Sequence, residues 1–187
     1  MNDFEYAFSL FGLILGLALA EALGGLVRAI DARGNLRIGW LTPIMSLIVA
    51  LDIISFWGLI WGARAAIKVS YLSLGLGGLL ASTYYVAAAL SFPRDPREWS
   101  DLDDFFLSRR RVVFGIVLVL NVVFTLLTIT LRGSPPNWLA IGMLVSDVQT
   151  LLMLAGIFVP RRAALPAMML LLVAYLAGPL VIFLRHP

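Results

Sequence analysis

"ALDIISFW", residues 50–57, lies inside an apolar run from Ile38 to Gly62 whose only charged residue is Asp52. The run exceeds the roughly 20 residues that a helix needs to cross a bilayer. It reads as a membrane-spanning helix with one carboxylate near its centre, where water is scarcest.

The whole chain supports a bilayer as its solvent. Of 187 residues, 61% are hydrophobic and 13% charged, whereas soluble domains carry about one-quarter charged residues. A chain this short has no soluble core large enough to hide that much apolar surface. No long polar segment interrupts it, so residues 1–187 are expected to form one domain. The formal charge is +3, from thirteen Arg and one Lys against eleven acids. The basic residues fall at the ends of apolar runs and form no stripe, which argues against nucleic acid as a partner. Cysteine is absent and the only histidine is His186. Thiolate and bis-histidine metal or haem sites are therefore excluded, and no cofactor is expected.

Six segments have the length and composition of spans, at roughly 6–30, 38–62, 70–92, 110–131, 138–159 and 164–184. The expected fold is all-α, a bundle of six transmembrane helices. The connections carry turn and charge signals: "RAIDARGNLR" (28–37), "GARAAIKVS" (62–70), "FPRDPREWSDLDD" (92–104), "RGSPPN" (132–137) and "VPRRAALP" (159–166). Ten Arg lie in the first, third and fifth connections, against four Arg or Lys on the other side. By the positive-inside rule the odd connections are cytoplasmic and both termini lie outside. The tail "MNDFEY" lacks the basic start of a cleaved signal peptide, so the first helix is expected to stay. In the third connection, Ser100 reads as a helix N-cap, followed by Asp101, Asp103 and Asp104 in a first turn that favours anions.

Three acids fall within spans: Glu21, Asp52 and Asp147. Arg28 marks the inner end of the first span, and Glu21 lies seven residues deeper, roughly 10 Å. Asp52 and Asp147 are near the midplane. An ionised Asp there costs about 2.5–3.5 kcal/mol on insertion scales. Each acid is therefore expected to face the bundle interior, and Asp52 and Asp147 to be neutral much of the time. Supporting polar residues sit at similar depth: Ser55 one turn from Asp52, Tyr84 and Tyr85 in the third span, Asn121 and Thr125 on one face of the fourth, and Thr150 beside Asp147. The sixth span offers only Tyr175.

Gly12, Gly16, Ala20 and Gly24 recur every four residues, a spacing that lets a neighbouring helix approach closely. Gly16→Leu is then expected to disrupt folding or assembly. Six spans also divide as three plus three, and an inverted repeat would put Asp52 and Asp147 at equivalent positions on helices two and five.

Catalytic constellations are lacking. No span contains histidine, so no intramembrane Ser–His pair exists. Asp147 sits in "LVSDVQ" (144–149), without the GxGD context of membrane aspartyl proteases. The chain is read as not an enzyme. The leading expectation is a small transport-type protein that handles a proton or cation through Glu21, Asp52 and Asp147. The alternative is a non-catalytic structural or accessory subunit of a larger membrane complex. In either case a homo-oligomer or a membrane-protein partner is expected.

The stretches "FSLFGLILGLALAEALGGL" (8–26), "FP" (92–93) and "DLDDFFLSRRRVVFG" (101–115) give the chain a resemblance. Over about its first two-thirds, it resembles a group of uncharacterised bacterial multi-pass membrane proteins. The resemblance implies a multi-pass protein of the bacterial inner membrane, and it implies no functional residues.

Overall fold

The computed structural model describes residues 3–32, 34, 37–62, 64–65, 67–132 and 141–185, with the backbone alone for 3, 59, 124, 128–132, 141–147, 162 and 176–185. Among these, the chain is helical: α1 (Asp3–Asp31), α2 (Leu41–Gly62), α3 (Tyr71–Ser91), a 3-10 turn at Pro96–Glu98, α4 (Leu102–Arg132), α5 (Ile141–Phe158) and α6 (Arg161–Arg185). Four stretches are long and apolar enough to cross a membrane: Phe4–Asp31, Leu41–Gly62, Tyr71–Ser91 and Leu102–Leu127.

α2 is apolar on nearly every side, the pattern of a helix enclosed by others. It packs against α1, α3, α4 and α6. Met45, Ile48, Val49 and Ile53 are fully buried. The surrounding helices each bury one stripe. α1 buries Leu15, Ala18, Ala22 and Ala29, and turns Leu13, Leu17, Leu23 and Val27 outward. Large apolar residues facing outward along the long helices are what a lipid-embedded surface requires.

α1 and α3 form the most extensive helix pair, through small residues. Ala18 and Ala22 on α1 and Ala81, Ala87 and Ala88 on α3 are buried. Gly25 lies against the Phe92 ring and Gly77 against the Phe11 ring, so closely that a Cβ at either would collide with the aromatic carbons. This corrects the register read from the sequence. Gly16 and Ala20 are exposed, and nothing lies within 4 Å of a Cβ built on Gly16. Gly12 meets only Trp57, at 3.3 Å, and Gly24 only Arg28. Residues four apart drift about 40° around a helix. The buried row Ala18–Ala22–Gly25–Ala29 therefore occupies a different side from Gly12–Gly16–Ala20–Gly24.

Nor does the packing follow a three-plus-three symmetry. An inverted repeat would pair α4 with α6 as α1 pairs with α3, and among the described residues α4 and α6 do not pack comparably. α2 is central, while α5 packs on α4 and α6.

One end of the bundle is clamped by its connections. The Arg37 N–H donates to the Ser100 carbonyl (3.1 Å) and the Leu102 N–H to the Arg37 carbonyl (3.0 Å). Ser100 is thus committed through its backbone. Asp101 takes the capping role instead, its Oδ1 accepting from the Asp103 N–H at 2.8 Å. Asp103 reaches across to the start of α2, where its Oδ1 accepts from the Leu41 N–H at 2.9 Å. Thr42 Oγ1 donates to the Leu102 carbonyl at 2.7 Å. Arg161 at the start of α6 pairs with Asp104 at 2.5 Å, and Arg110 donates to the Val159 carbonyl at the end of α5. Gly39 has φ +66°, where its missing Cβ leaves room for the Asp103 carboxylate. The first, third and fifth connections therefore meet at one face.

Gly25→Leu is expected to lower the stability of the detergent-solubilised protein by about 1–3 kcal/mol through overpacking. Gly16→Leu should melt like the wild type. Thermal unfolding of both variants checks the register, and the reverse order would refute it.

Candidate functional site

Asp52 sits midway along α2 and is 4% exposed. Its side chain enters the space where α2 faces α3, α4 and α6, and each of those helices sends it a polar group. The Tyr175 hydroxyl on α6 donates to Asp52 Oδ1 at 2.7 Å. Asn121 Nδ2 on α4 approaches the same oxygen at 3.4 Å. The Tyr84 hydroxyl on α3 also faces the carboxylate. The second oxygen, Oδ2, is buried and has no hydrogen-bond partner.

Local sequence explains why these groups converge. Tyr84 shares a face with Ala81 and Ala88, the stripe by which α3 is buried. Phe56, one turn from Asp52, packs against the Tyr84 ring at 5.1 Å between centroids. Asn121 Nδ2 also donates to the Val117 carbonyl one turn back (3.0 Å) and lies 3.9 Å from Met153 Sδ on α5. The shorter backbone bond is the stronger, so Asn121 is held by its own helix and offers Asp52 a secondary contact. Thr125 Oγ1 donates to the Asn121 carbonyl at 2.9 Å. Tyr175 is therefore the principal partner.

Chemically, the arrangement suits a carboxyl group that holds a proton. Leaving a buried polar atom unpaired costs about 1–3 kcal/mol, and more when it is charged. An ionised Asp52 would carry that cost on Oδ2, with donors crowded on Oδ1. A proton on Oδ2 removes the charge and leaves Oδ1 a good acceptor for Tyr175. Among the described residues, no lysine or arginine pairs with Asp52, and no group of three His, Cys, Asp or Glu could hold a metal.

The other residues singled out by sequence fall elsewhere. Glu21 does not face the interior. It is 29% exposed on the flank of α1 and pairs with Arg28 at 2.8 Å, so it finds a cation seven residues along its own helix. Tyr85 is 43% exposed and points away from Asp52, because adjacent residues lie about 100° apart on a helix. Ser55 is half-buried and takes no part in the Asp52 hydrogen bonds. Thr125 and Thr150 are half-buried on α4 and α5. The side chain of Asp147 lies outside the described residues. Sequence reasoning passed over Tyr175 as a site residue, although it is the only polar side chain mid-way along α6.

Tyr175→Phe should cost about 1 kcal/mol of stability by removing the 2.7 Å donor. It should also shift the infrared carboxyl band expected of a protonated Asp52, a band that Asp52→Asn should remove. Tyr85→Phe should do neither. A Tyr175→Phe protein with wild-type melting and an unmoved band would show that the hydroxyl contributes nothing. No protein-family model, curated protein or solved structure matches this chain.

Proposed function

We propose that this chain is a small, non-enzymatic integral membrane protein of transport type that binds and releases a proton at Asp52. The observation that carries the reading is the Asp52 carboxyl itself: centred in the bundle, met by polar groups from three other helices, with Oδ2 unpartnered. Among the described residues one carboxylate stands at this site, which fits a proton better than calcium, a cation that takes six to eight oxygen ligands. Glu21 plays no part, since its partner is Arg28.

The proposed topology has six spans in a bacterial inner membrane, with the clamped face in the cytoplasm. The meeting of Arg37, Asp101, Asp104 and Arg161 supports it, because alternating spans bring odd-numbered connections to one side.

A second reading has an observation in its favour. Two hollows among the described residues, one lined by Phe114 and Leu171 and the other by Met45 and Arg110, do not reach Asp52. In an accessory subunit the same cluster would serve only to join helices.

Proteoliposomes under a pH gradient separate the two. Wild type is expected to carry protons faster than empty vesicles, and Asp52→Asn to return the flux to that baseline. Identical flux from wild type, Asp52→Asn and empty vesicles would refute the transport reading and favour the accessory one.

A further inference from the structure

We propose that the protein holds one anionic phospholipid at the clamped end of the bundle, with the lipid phosphate on Arg109 and Arg110 and an acyl chain in the groove between α3 and α4. This needs the bilayer but is independent of the Asp52 proton.

A shallow hollow opens there between the two helices. Leu90 of α3 and Phe105, Phe106 and Val113 of α4 line it, with the buried Met45 of α2 beneath. Its aromatic walls are braced. Phe105 meets Trp99 edge to face at 5.2 Å, and Phe106 meets Phe114 at 6.3 Å. Ser91 also lines the hollow, but its hydroxyl is spent on the Ala87 carbonyl. The donors left to receive a ligand are Arg109 and Arg110.

These arginines lack an anion. No Asp or Glu lines the hollow. The acids of the clamp are engaged elsewhere: Asp101 on the Asp103 N–H, Asp103 on the Leu41 N–H and Asp104 on Arg161. Arg109 is exposed, and among the described residues no hydrogen bond or ion pair engages its side chain. Arg110 is half-buried and donates to the Val159 carbonyl, which anchors it while leaving further N–H groups of its five. A guanidinium takes phosphate oxygens in pairs, and its geometry suits them better than an ammonium does. Basic pockets between membrane helices hold anionic head groups on the same principle.

The order of groups along the bundle matches a phospholipid. Side chains on a helix lean toward its N-terminus, so the arginines lean toward the clamp, while Val113 lies a turn deeper. Beyond the hollow the apolar surface continues. On α4, Val112 and Ile116 share the face of Arg109; on α3, Val86 and Leu79 share that of Leu90. Val112, Val86 and Leu79 are exposed. A charged mouth above an apolar track gives a phosphate and an acyl chain one site each. A free phosphate ion would use the mouth alone.

Native mass spectrometry of the detergent-solubilised protein, titrated with phosphatidylglycerol or phosphatidylcholine, tests this. Phosphatidylglycerol should bind as one tight copy, at least about tenfold more tightly than phosphatidylcholine. Arg109→Gln should weaken it about tenfold, while Arg111→Gln, which removes the same charge one residue away from the hollow, should weaken it no more than about threefold. Both arginines are exposed, so both variants should melt like the wild type. Excess glycerol 3-phosphate should leave the bound lipid in place. Equal binding of the two lipids, or equal losses in the two variants, would overturn the site in favour of diffuse charge. Displacement by glycerol 3-phosphate would overturn the acyl-chain groove and leave a simple anion site.

Discussion

The fold turns on the requirement that Asp52 be enclosed by protein. A carboxyl in the middle of an apolar helix has no solvent in a bilayer, so its hydrogen bonds must come from other helices. Here α3, α4 and α6 each supply a polar group, which fixes the rotation of α2 about its axis and brings those three helices around it. A turn of α2 by one residue, about 100°, would aim the carboxyl at different neighbours and lose them all. Individually such bonds are weak in membranes, averaging about 0.6 kcal/mol. Their value here is in selecting one arrangement among many apolar packings of similar energy.

The clamp sets the other coordinate, the depth of α2 along its axis. Asp103 accepts from one free N–H at the start of α2, that of Leu41, and Thr42 is tied to the Leu102 carbonyl. Helix starts leave four unsatisfied N–H groups. Using a side chain from α4 to satisfy one of them couples the start of α2 to the start of α4. The ion pairs around Arg161 are exposed and contribute little individually. The buried bonds of Leu41 and Thr42 carry the registration, and with depth and rotation both set, Asp52 arrives level with Asn121 and Tyr175.

Much of this was legible in the residues, and the gaps have physical causes. Apolar length exposes membrane helices directly, and Asp52 announced itself as the lone charge of its run. The acids after Ser100 marked the start of α4 to within two residues, although the apolar span alone begins only near residue 110. The first turns of α4 mix Asp103, Asp104 and Ser108 with buried Leu102, Phe105 and Phe106, a pattern that apolar length cannot detect and helical periodicity can. The α1 stripe went wrong for a different reason. Spacing of small residues identifies a smooth face but not whether another helix covers it. The partnership of Glu21 with Arg28 was open to inspection, since seven residues is two turns and side chains on a helix lean toward its N-terminus. Tyr84 and Tyr85 could have been separated too, because only Tyr84 shares a face with Ala81 and Ala88.

The identity of residue 52 bears on what the cluster is for. If it served only to join helices, asparagine would do as well: its amide oxygen could accept from Tyr175 and Asn121, and its NH2 could donate toward Tyr84. Asparagine would also avoid the cost of any ionised state, about 2.5–3.5 kcal/mol for Asp at the bilayer centre. A carboxyl adds nothing to the packing that an amide lacks. What it adds is a proton that can leave, with donors on Oδ1 that stabilise the anion left behind and an Oδ2 free to take the proton back.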